Sequence, residues 1–370
     1  MALIPTTLKH CFLLTIFSTY YASCSFSQQN NIKIDLLDDF ANDLTKQIIT
    51  SKHQCFSISV LENDSIIYFK GYGQIDKKRK TAVDTGSLFR LGSITKSFTA
   101  VLMLKLMEEG YLKLDDPVEK YVPEVKDIEG YSNSTQITLR QLASHTSGLE
   151  RDAHGRDLLY STTSEWEYKI LAALHETKFV LKPGSAMLYS NIGYNILGLA
   201  LARAAKSSFM KLVSDKIFIP LGMNHSYFEI PDDAKNKLAR SAESSGTEHE
   251  YQAWRVASGG IYSTASDLSK FIWMLMGDSK PKVLSLESLA LLKQVTSMKM
   301  ASDNGYAMGL MIYNWNDQTK IFGHNGSSHG HKTCFAFDPS KKIAVILLVN
   351  YDTKVNLWGS SLALLKQSLH

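Results

Sequence analysis

Residues 89–110 read FRLGSITKSFTAVLMLKLMEEG, the stretch from which both a core helix and a reactive pair can be predicted. Its second half is mostly apolar, which predicts a long helix that is buried in the core. Ser93 opens this helix and Lys96 follows three residues later, where a buried helix is expected to carry apolar side chains. Positions three residues apart share one face of a helix, so Lys96 can point at the Ser93 hydroxyl. The stretch therefore predicts a core helix that also carries a reactive pair.

The pair of Ser93 and Lys96 is suited to nucleophilic catalysis. A serine hydroxyl becomes a good nucleophile when a base within hydrogen-bonding reach removes its proton. A lysine normally titrates near pH ~10.4, but an apolar environment disfavours the charged form and makes the amine a usable base. The free amides and the dipole at a helix start also favour negative charge that develops beside Ser93. We expect Ser93 to be the nucleophile and Lys96 its base.

The Ser-x-x-Lys spacing occurs three times, at Ser93, Ser208 and Ser279. An isolated match is typical of a serine that caps a helix and a lysine that reaches solvent. Ser208 lies among lysines near a helix start, and Ser279 lies in a polar loop that contains a proline. Only Ser93 precedes a helix apolar enough to desolvate its lysine, which favours Ser93 as the reactive copy.

A second candidate motif is Tyr189-Ser190-Asn191. A phenol near a lysine ammonium can lose its proton below its usual pH of ~10 and shuttle protons for a serine. The Asn191 amide can both donate to and accept from a substrate peptide bond. The same three letters occur at 131–133 within a polar stretch, whereas the later copy leads from a Pro-Gly turn into an apolar helix. The alternative for either copy is a capping asparagine beside a packing tyrosine.

A third motif, His324-Asn325-Gly326, ends a candidate strand. The glycine lets a substrate backbone lie along the strand edge. The next amide, that of Ser327, can pair with the amide of Ser93 to form an oxyanion hole.

The composition excludes several classes of function. The 370 residues are 44% hydrophobic and 21% charged, and the net charge is only +4. The one tight basic run, at 76–80, is predicted to be a solvated turn, so we expect no nucleic-acid partner. A zinc site is an alternative for the histidines at 324, 329 and 331. It is disfavoured because no HExxH motif or cysteine ligands accompany them, so we expect neither a metal nor an organic cofactor.

The first residues have the pattern of a secretory signal peptide, 1–27, with basic residues, an apolar run and a small-residue cleavage site. Cleavage there leaves Gln28 first and predicts an extracytoplasmic protein, periplasmic or secreted. The alternative is a lipobox that ends at Cys24, and we expect membrane attachment only if Cys24 is lipidated. Of the four cysteines in the chain, Cys55 and Cys334 remain after cleavage and are predicted to be buried free thiols.

Hydrophobic periodicity predicts an α/β fold of the α+β kind. Residues 32–92 read as a helix and a hairpin that turns at Asn63-Asp64, and 305–370 read as strands and a final helix. The part between, 93–304, is mostly helical. We therefore expect an antiparallel sheet made by both chain ends, flanked by helices, with a large helical insert. Capping boxes are predicted at two helix starts: Thr138 with Gln141, in a helix that ends at Gly148, and Thr264 with Asp267.

Together these residues resemble the penicillin-recognising serine hydrolases of class C β-lactamase type, which include DD-peptidases, amidases and esterases. In that family SxxK, YxN and a KTG or HxG triad occur in this order. The order matches Ser93 to Lys96, Tyr189 to Asn191 and His324 to Gly326. ITLRQLASHTSGL and ASGGIYSTASDL are also similar to the family, and the likeness runs from about residue 35 to the end. The resemblance implies a β-lactamase/transpeptidase-like fold for one hydrolase domain, 28–370.

The resemblance also implies roles for single residues. Ser93 would form the acyl-enzyme, and Lys96 and Tyr189 would handle its proton. Asn191 would contact the substrate amide, and the amides of Ser93 and Ser327 would stabilise the oxyanion.

The chain departs from the family where class C β-lactamases usually carry Lys-Thr-Gly, because it has His-Asn-Gly at 324–326. An ammonium and a hydroxyl that would bind a substrate carboxylate are therefore replaced. A histidine that titrates near pH ~6.5 predicts that affinity for an anionic substrate rises as the pH falls through that value.

The expected function is that of a secreted serine hydrolase acting on an amide or ester bond in a β-lactam, a D-amino-acid peptide or a simple ester. The alternative is a non-catalytic binding protein that retains the fold. The presence of Ser93, Lys96 and Tyr189 together favours the enzyme.

Overall fold

The computed structural model describes residues 34–49, 51, 54–76, 80–154, 162–241, 255–280, 282–294, 304–316, 318–328 and 330–368. The predicted signal peptide, most of the basic run at 76–80 and His329 lie outside these residues. The chain divides into a short unit that ends at Gln47 and a large unit that begins at Ile48. Helix α1 covers residues 34–48, as its periodicity predicts, and its side chains Leu37, Ala41 and Leu44 are buried.

The strands lie where the sequence places them, at both ends of the chain. In chain order they are β1 (Phe56–Glu62), β2 (Ser65–Tyr72), β3 (Gln74–Asp76), β4 (Thr81–Ala82), β5 (Phe89–Arg90), β6 (Tyr262–Ser263), β7 (Asn304–Tyr306), β8 (Met311–Asn314), β9 (Lys320–Ser328), β10 (His331–Asp338) and β11 (Ile343–Val349). In the described residues the main sheet has the order β2-β1-β11-β10-β9-β8-β7.

Pairing of β1 with β11 joins the two ends of the chain in one sheet. The neighbouring strands in it are antiparallel, and Phe56 lies opposite Val349. Each side chain of β11 is buried, because helices cover this part of the sheet. The predicted hairpin turn is present between β1 and β2, and Asn63 takes the positive φ of 56° that a tight turn requires. The predicted antiparallel sheet is confirmed.

Helices are the main regular elements of the described residues between the two groups of strands, and one more helix follows the last strand. They are α2 (Thr95–Glu108), α3 (Leu139–Ala143), α4 (Trp166–Leu174), α5 (Asn191–Ala204), α6 (Phe209–Val213), α7 (Ile219–Leu221), α8 (Val256–Gly259), α9 (Ala265–Met276), α10 (Leu286–Leu292) and α11 (Leu357–Ser368), with a π-helical turn at Ser214–Phe218 and 3₁₀ turns at Gly92–Ile94, Val118–Lys120, Pro123–Asp127, Asn133–Thr135, Thr163–Glu165 and Lys235–Lys237. No helix in the described ranges combines the length and apolar character needed to cross a bilayer.

The predicted helix caps are present, with one difference in helix length. The Thr138 side chain accepts from the amide of Gln141, whose side chain accepts from the amide of Thr138. Thr264 accepts from the amide of Asp267, but the predicted capping box is not completed there, because the Asp267 carboxylate accepts from the amide of His225. Helix α3 ends at Ala143 and does not reach Gly148 as predicted, since His145 has a φ of 59° that a right-handed helix cannot contain. The mostly helical region also contains β6, which pairs with β5.

Helix α2 occupies the centre of the large unit. From Thr95 to Leu104 every side chain is buried, so the helix has no solvent face. It packs against α5, α6, α8 and α10. Burial on all sides is what the apolar run at 101–106 predicts, and it carries Lys96 into the core together with the apolar residues.

Candidate active site

Ser93 lies in the 3₁₀ turn that joins β5 to α2. In a 3₁₀ turn residues three apart lie one above the other, and this geometry aligns Ser93 with Lys96 at the start of α2. The distance from Lys96 Nζ to Ser93 Oγ is 3.1 Å. The structure thus brings together the hydroxyl and amine that the sequence pairs.

Lys96 is fully buried and contacts three oxygen atoms. Its Nζ lies 2.7 Å from Asn191 Oδ1, 2.8 Å from the carbonyl oxygen of Ser258 and 3.1 Å from Ser93 Oγ. Burial, with a smaller contribution from the Arg255 charge, holds the Lys96 pKa well below its usual value near 10.5. A neutral amine has two N–H donors and one lone pair. Two of the three oxygens belong to carbonyl groups, which only accept, so the lone pair faces the Ser93 hydroxyl.

Both the oxygen and the nitrogen of the Asn191 side-chain amide form hydrogen bonds. Its Oδ1 accepts from Lys96, and its Nδ2 donates to Asp152 Oδ1 at 2.7 Å. Arg255 Nη2 reaches the same carboxylate oxygen at 3.0 Å. These contacts give Asn191 a positioning role toward Lys96, and its predicted contact with a substrate amide stays a prediction. Asp152, Arg255 and Ser258 are site residues that sequence reasoning missed, since no local motif marks them.

Tyr189 stands beside the pair with a half-buried side chain. Its ring centroid lies 4.9 Å from Lys96 Nζ. Burial raises the pKa of Tyr189 above its usual value, and a hydrogen bond with Ser93 opposes this only in part. The prediction of a phenol acidified by a lysine ammonium is therefore wrong for the free protein. Tyr189 keeps its proton at neutral pH and can act as a donor.

The His145 ring packs against the ring of Tyr189. The two ring centroids lie 4.1 Å apart, and the Ser190 amide donates to His145 Nδ1 at 3.0 Å. Burial lowers the pKa of His145 well below 6.5, so the ring is neutral and can accept this bond. The stretch ITLRQLASHTSGL already resembled the family, but nothing in its spacing assigned His145 to the site.

His324 lies on β9 with both ring nitrogens engaged. Nδ1 is 2.6 Å from the Asn325 carbonyl oxygen, to which it can only donate. Nε2 therefore accepts from the Tyr306 hydroxyl at 3.0 Å. Burial lowers the pKa of His324 to about 3. The expected imidazolium near pH 6.5 is thus wrong, because this buried ring stays neutral and has no free donor for a carboxylate.

We expect the preference of the protein for anionic over neutral substrates to be independent of His324 titration. The ratio of KM for matched anionic and neutral esters should stay constant from pH 5.5 to 8, because a group with a pKa of about 3 does not titrate there. Nitrogen chemical shifts of His324 should show a neutral ring with the proton on Nδ1 throughout. A titration midpoint near 6.5 in these shifts would contradict the assignment.

Gly326 packs against the segment that precedes the nucleophile. A Cβ at this position would lie 1.9 Å from the Leu91 carbonyl oxygen and 2.1 Å from Thr333 Oγ1. A Cβ on Gly92, which has a φ of 54°, would lie 2.8 Å from the Ser327 amide nitrogen. The two glycines therefore let β9 approach the turn that carries Ser93. From the sequence we expect the glycine to let a substrate backbone lie along the strand edge. In the structure Gly326 lies close to the backbone of Leu91.

Replacing Gly326 with alanine should destabilise the protein by ~1–3 kcal/mol and lower kcat, because the new methyl group forces β9 away from the Ser93 turn. Chemical denaturation and steady-state kinetics on the variant measure both effects. Gly86→Ala is the matched control, since the nearest atom to its Cβ is 3.5 Å away. If Gly326→Ala behaves like the control, the close approach is not needed.

The site opens into a cavity of about 450 Å³. Ser93, Tyr189 and Ser327 lie in its wall, so the two residues predicted to form the oxyanion hole line the same cavity as Tyr189. Asn191 and Lys96 lie behind the wall. The other lining residues are Arg151, Met187, Tyr306, Met311, His324, Asn325, Gly326, Lys332, Thr333, Val355, Asn356 and Leu357.

The serines of two other copies of the short motifs cap helical turns. Ser208 caps α6 by accepting from the Lys211 amide, and Lys211 Nζ pairs with Asp215 at 2.6 Å. Ser132 caps the 3₁₀ turn at Asn133–Thr135. Within the described residues no three histidine, cysteine or acidic side chains are grouped to hold a metal ion. The thiols of Cys55 and Cys334 are free and buried.

A family profile described as Beta-lactamase matches residues 41–359, which is most of the chain. Beta-lactamase-like protein 4 of Dictyostelium discoideum is 29% identical over 372 aligned positions, which cover 91% of this chain and 64% of that protein. The chain spans less than two thirds of the length of the first curated relatives that it matches.

Solved structures of similar fold agree with this match. The octameric penicillin-binding protein homologue from Pyrococcus abyssi has a TM-score of 0.76 and 26% identity, over 90% of this chain and 77% of its own. A class C β-lactamase has the same TM-score at 22% identity, over 91% of this chain and 97% of its own. The predicted β-lactamase/transpeptidase-like fold is confirmed.

Proposed function

The chain belongs to the β-lactamase family, and we propose that it is a serine hydrolase that forms an acyl-enzyme on Ser93. One observation carries the proposal. The Lys96 amine is buried, two carbonyl oxygens accept from it, and its nitrogen lies 3.1 Å from the Ser93 hydroxyl oxygen. Burial lowers the pKa of this amine, and a base of lowered pKa at hydrogen-bonding distance is what a serine nucleophile requires.

In the proposed reaction Ser93 Oγ bonds to the substrate carbonyl carbon while its proton passes to Lys96 Nζ. The carbonyl oxygen takes up the negative charge, which the amides of Ser93 and Ser327 stabilise. The bond to the leaving nitrogen or oxygen then breaks as the Tyr189 hydroxyl donates its proton to that atom. Tyr189 regains a proton from the Lys96 ammonium. Water next adds to the acyl carbon while one of its protons passes to Lys96 Nζ. The bond from that carbon to Ser93 Oγ then breaks, Ser93 Oγ regains a proton from the Lys96 ammonium, and the acid is released.

Labelling experiments on the full chain test the proposal. We expect incubation with a fluorophosphonate to add one adduct, and peptide mass spectrometry to locate it at Ser93. Benzylpenicillin serves as a second probe of the same serine. If neither reagent forms an adduct on the folded protein, the proposal fails and the non-catalytic binding protein becomes the better description.

Among substrates we propose that simple esters are turned over faster than β-lactams. Where class C β-lactamases usually have Lys-Thr-Gly, this chain has a histidine whose nitrogens are both engaged and a pKa of about 3. No cation at position 324 is available for a β-lactam carboxylate. Measurable hydrolysis of p-nitrophenyl acetate beside slow hydrolysis of nitrocefin is the expected result, and fast nitrocefin turnover would contradict it.

We also propose that the protein is exported, because residues 1–27 have the pattern of a secretory signal peptide. N-terminal sequencing of the protein from its source should begin at Gln28, or at Cys24 if that cysteine is lipidated. A sequence that begins at Met1 would exclude both forms.

A further inference from the structure

Two guanidinium groups and one carboxylate lie together at the mouth of the site, as far as the described residues show. Asp152 supplies a single carboxylate to Asn191, Arg255 and Arg151. Asn191 Nδ2 and Arg255 Nη2 both reach its Oδ1, at 2.7 and 3.0 Å. Arg151 Nε lies 3.5 Å from the other oxygen, Oδ2. In the described part of the chain, one carboxylate therefore faces two guanidinium groups.

Of these two guanidinium groups, that of Arg151 is the more exposed. The Arg255 side chain is 26% exposed and holds the shorter contact to Asp152, whereas the Arg151 side chain is 66% exposed. The Arg151 guanidinium carbon lies 5.0 Å from the Tyr189 ring centroid, and its side chain lines the cavity. The Arg151 carbonyl oxygen accepts from the Asn191 amide, which ties this residue to the start of α5.

The other cation in the cavity wall has its own partner. Lys332 Nζ lies 2.9 Å from Asp352 Oδ1. A substrate anion would have to compete with that carboxylate for Lys332, but it would meet an exposed guanidinium fork at Arg151. A fork of this kind binds a planar carboxylate through two N–H donors.

We propose that Arg151 is a specificity-determining residue that binds a carboxylate of the substrate, so that among esters the protein prefers those with an anionic group near the scissile bond. The inference rests on the proposed hydrolase function and adds the charge of the substrate. Apolar side chains of the cavity, those of Met187, Met311, Val355 and Leu357, give the uncharged part of such a substrate a surface to contact. Because a guanidinium is always charged, the preference should not change between pH 5.5 and 8.

Matched chromogenic esters test this preference. 4-Nitrophenyl butyrate is the neutral reference. 3-Carboxy-4-nitrophenyl butyrate carries the anion in its leaving group, and the 4-nitrophenyl monoester of adipic acid carries it in its acyl group. In the wild type we expect kcat/KM to be higher for at least one anionic ester than for the reference. In Arg151→Gln the ratio of anionic to neutral kcat/KM for that ester should fall about 10- to 100-fold, the size of one charge-assisted contact.

The ratio of anionic to neutral kcat/KM separates an effect on binding of the substrate carboxylate from an effect on the catalytic base. Arg151 also contributes to the lowered pKa of Lys96, so its removal affects both esters through the base. That common factor cancels in the ratio. Arg151→Lys keeps the charge and should retain most of the ratio, and Lys332→Gln should change it less than threefold. The inference is overturned if the ratio is unchanged in Arg151→Gln, or if Lys332→Gln lowers it more than Arg151→Gln does.

A binding measurement separates failure of this inference from failure of the hydrolase proposal. Calorimetry on Ser93→Ala compares the affinities of the three esters without turnover. The double variant Ser93→Ala with Arg151→Gln should lose affinity for the anionic ester only. If the wild type neither hydrolyses esters nor reacts with a fluorophosphonate, the hydrolase proposal fails. The calorimetric comparison then still decides whether Arg151 binds a carboxylate, and equal affinities in the two backgrounds would overturn that role.

Discussion

Replacing Ser93 with alanine should abolish fluorophosphonate labelling and lower kcat for ester hydrolysis by a factor on the order of 10⁴ to 10⁶. The loss is large because Ser93 Oγ is the hydroxyl in the cavity wall that the buried Lys96 amine contacts. The oxyanion amides remain in the variant, so a small residual rate over water is expected. Thermal unfolding should change little, since a cavity hydroxyl contributes little to stability.

The other two Ser-x-x-Lys serines are the matched controls for Ser93→Ala. Ser208→Ala removes a helix cap and should cost ~0.5–2 kcal/mol of stability while leaving labelling intact. Ser279→Ala should also leave labelling intact, because Ser279 does not line the cavity. Loss of activity in either control with retention in Ser93→Ala would show that the wrong serine has been assigned.

Replacing Lys96 with methionine should lower kcat nearly as much as the loss of Ser93, because a nucleophile and its base act as one unit. Methionine fills much of the same buried volume without an amine, so the fold can be retained. Lys211→Met at the second Ser-x-x-Lys copy is the control and should keep kcat within about twofold, as expected for a surface substitution away from the site. A Lys96→Met variant with more than a tenth of wild-type kcat would exclude Lys96 as the base.

The same variant also reports the protonation state of Lys96 through stability. Unfolded lysine binds a proton up to pH ~10.4, whereas buried Lys96 with its lowered pKa does not. Between the lowered pKa and pH ~10.4 the unfolded state therefore binds more protons, and folding stability rises with pH. In this window the free energy of unfolding of the wild type should rise relative to that of Lys96→Met by ~1.4 kcal/mol per pH unit. Denaturation curves from pH 7 to 10 measure the difference. A difference that does not vary with pH would mean that Lys96 is charged in the folded protein.

Much of the fold could be predicted from local patterns. The alternation and apolar runs of β1, β2 and β8–β11 predicted strands at both chain ends, and the hairpin at Asn63 predicted their first turn. The capping pattern at Thr138 predicted where α3 starts, since a cap depends on residues within one turn. It did not predict where α3 ends, because the left-handed conformation of His145 is held by its contacts with Ser190 and Tyr189.

The candidate site divides in the same way. The sequence by itself determined the pairing of Ser93 with Lys96, because three residues of helical backbone bring any such pair together. It also determined that Lys96 is buried, because the apolar run that follows it leaves α2 no solvent face. These properties depend on a single segment of the chain.

The pKa shifts and the hydrogen-bond partners of the site residues depend on the tertiary structure. Burial, with a smaller contribution from the Arg255 charge, lowers the pKa of Lys96, and Asn191 and Ser258, from α5 and α8, orient its amine by accepting from it. His324 is neutral because the fold buries it against Tyr306, which reverses the expectation from an exposed histidine. Arg151 and Arg255, about a hundred residues apart along the chain, share the carboxylate of Asp152. Desolvation and ion pairing depend on neighbours in space, and those neighbours come from segments whose approach no local pattern encodes.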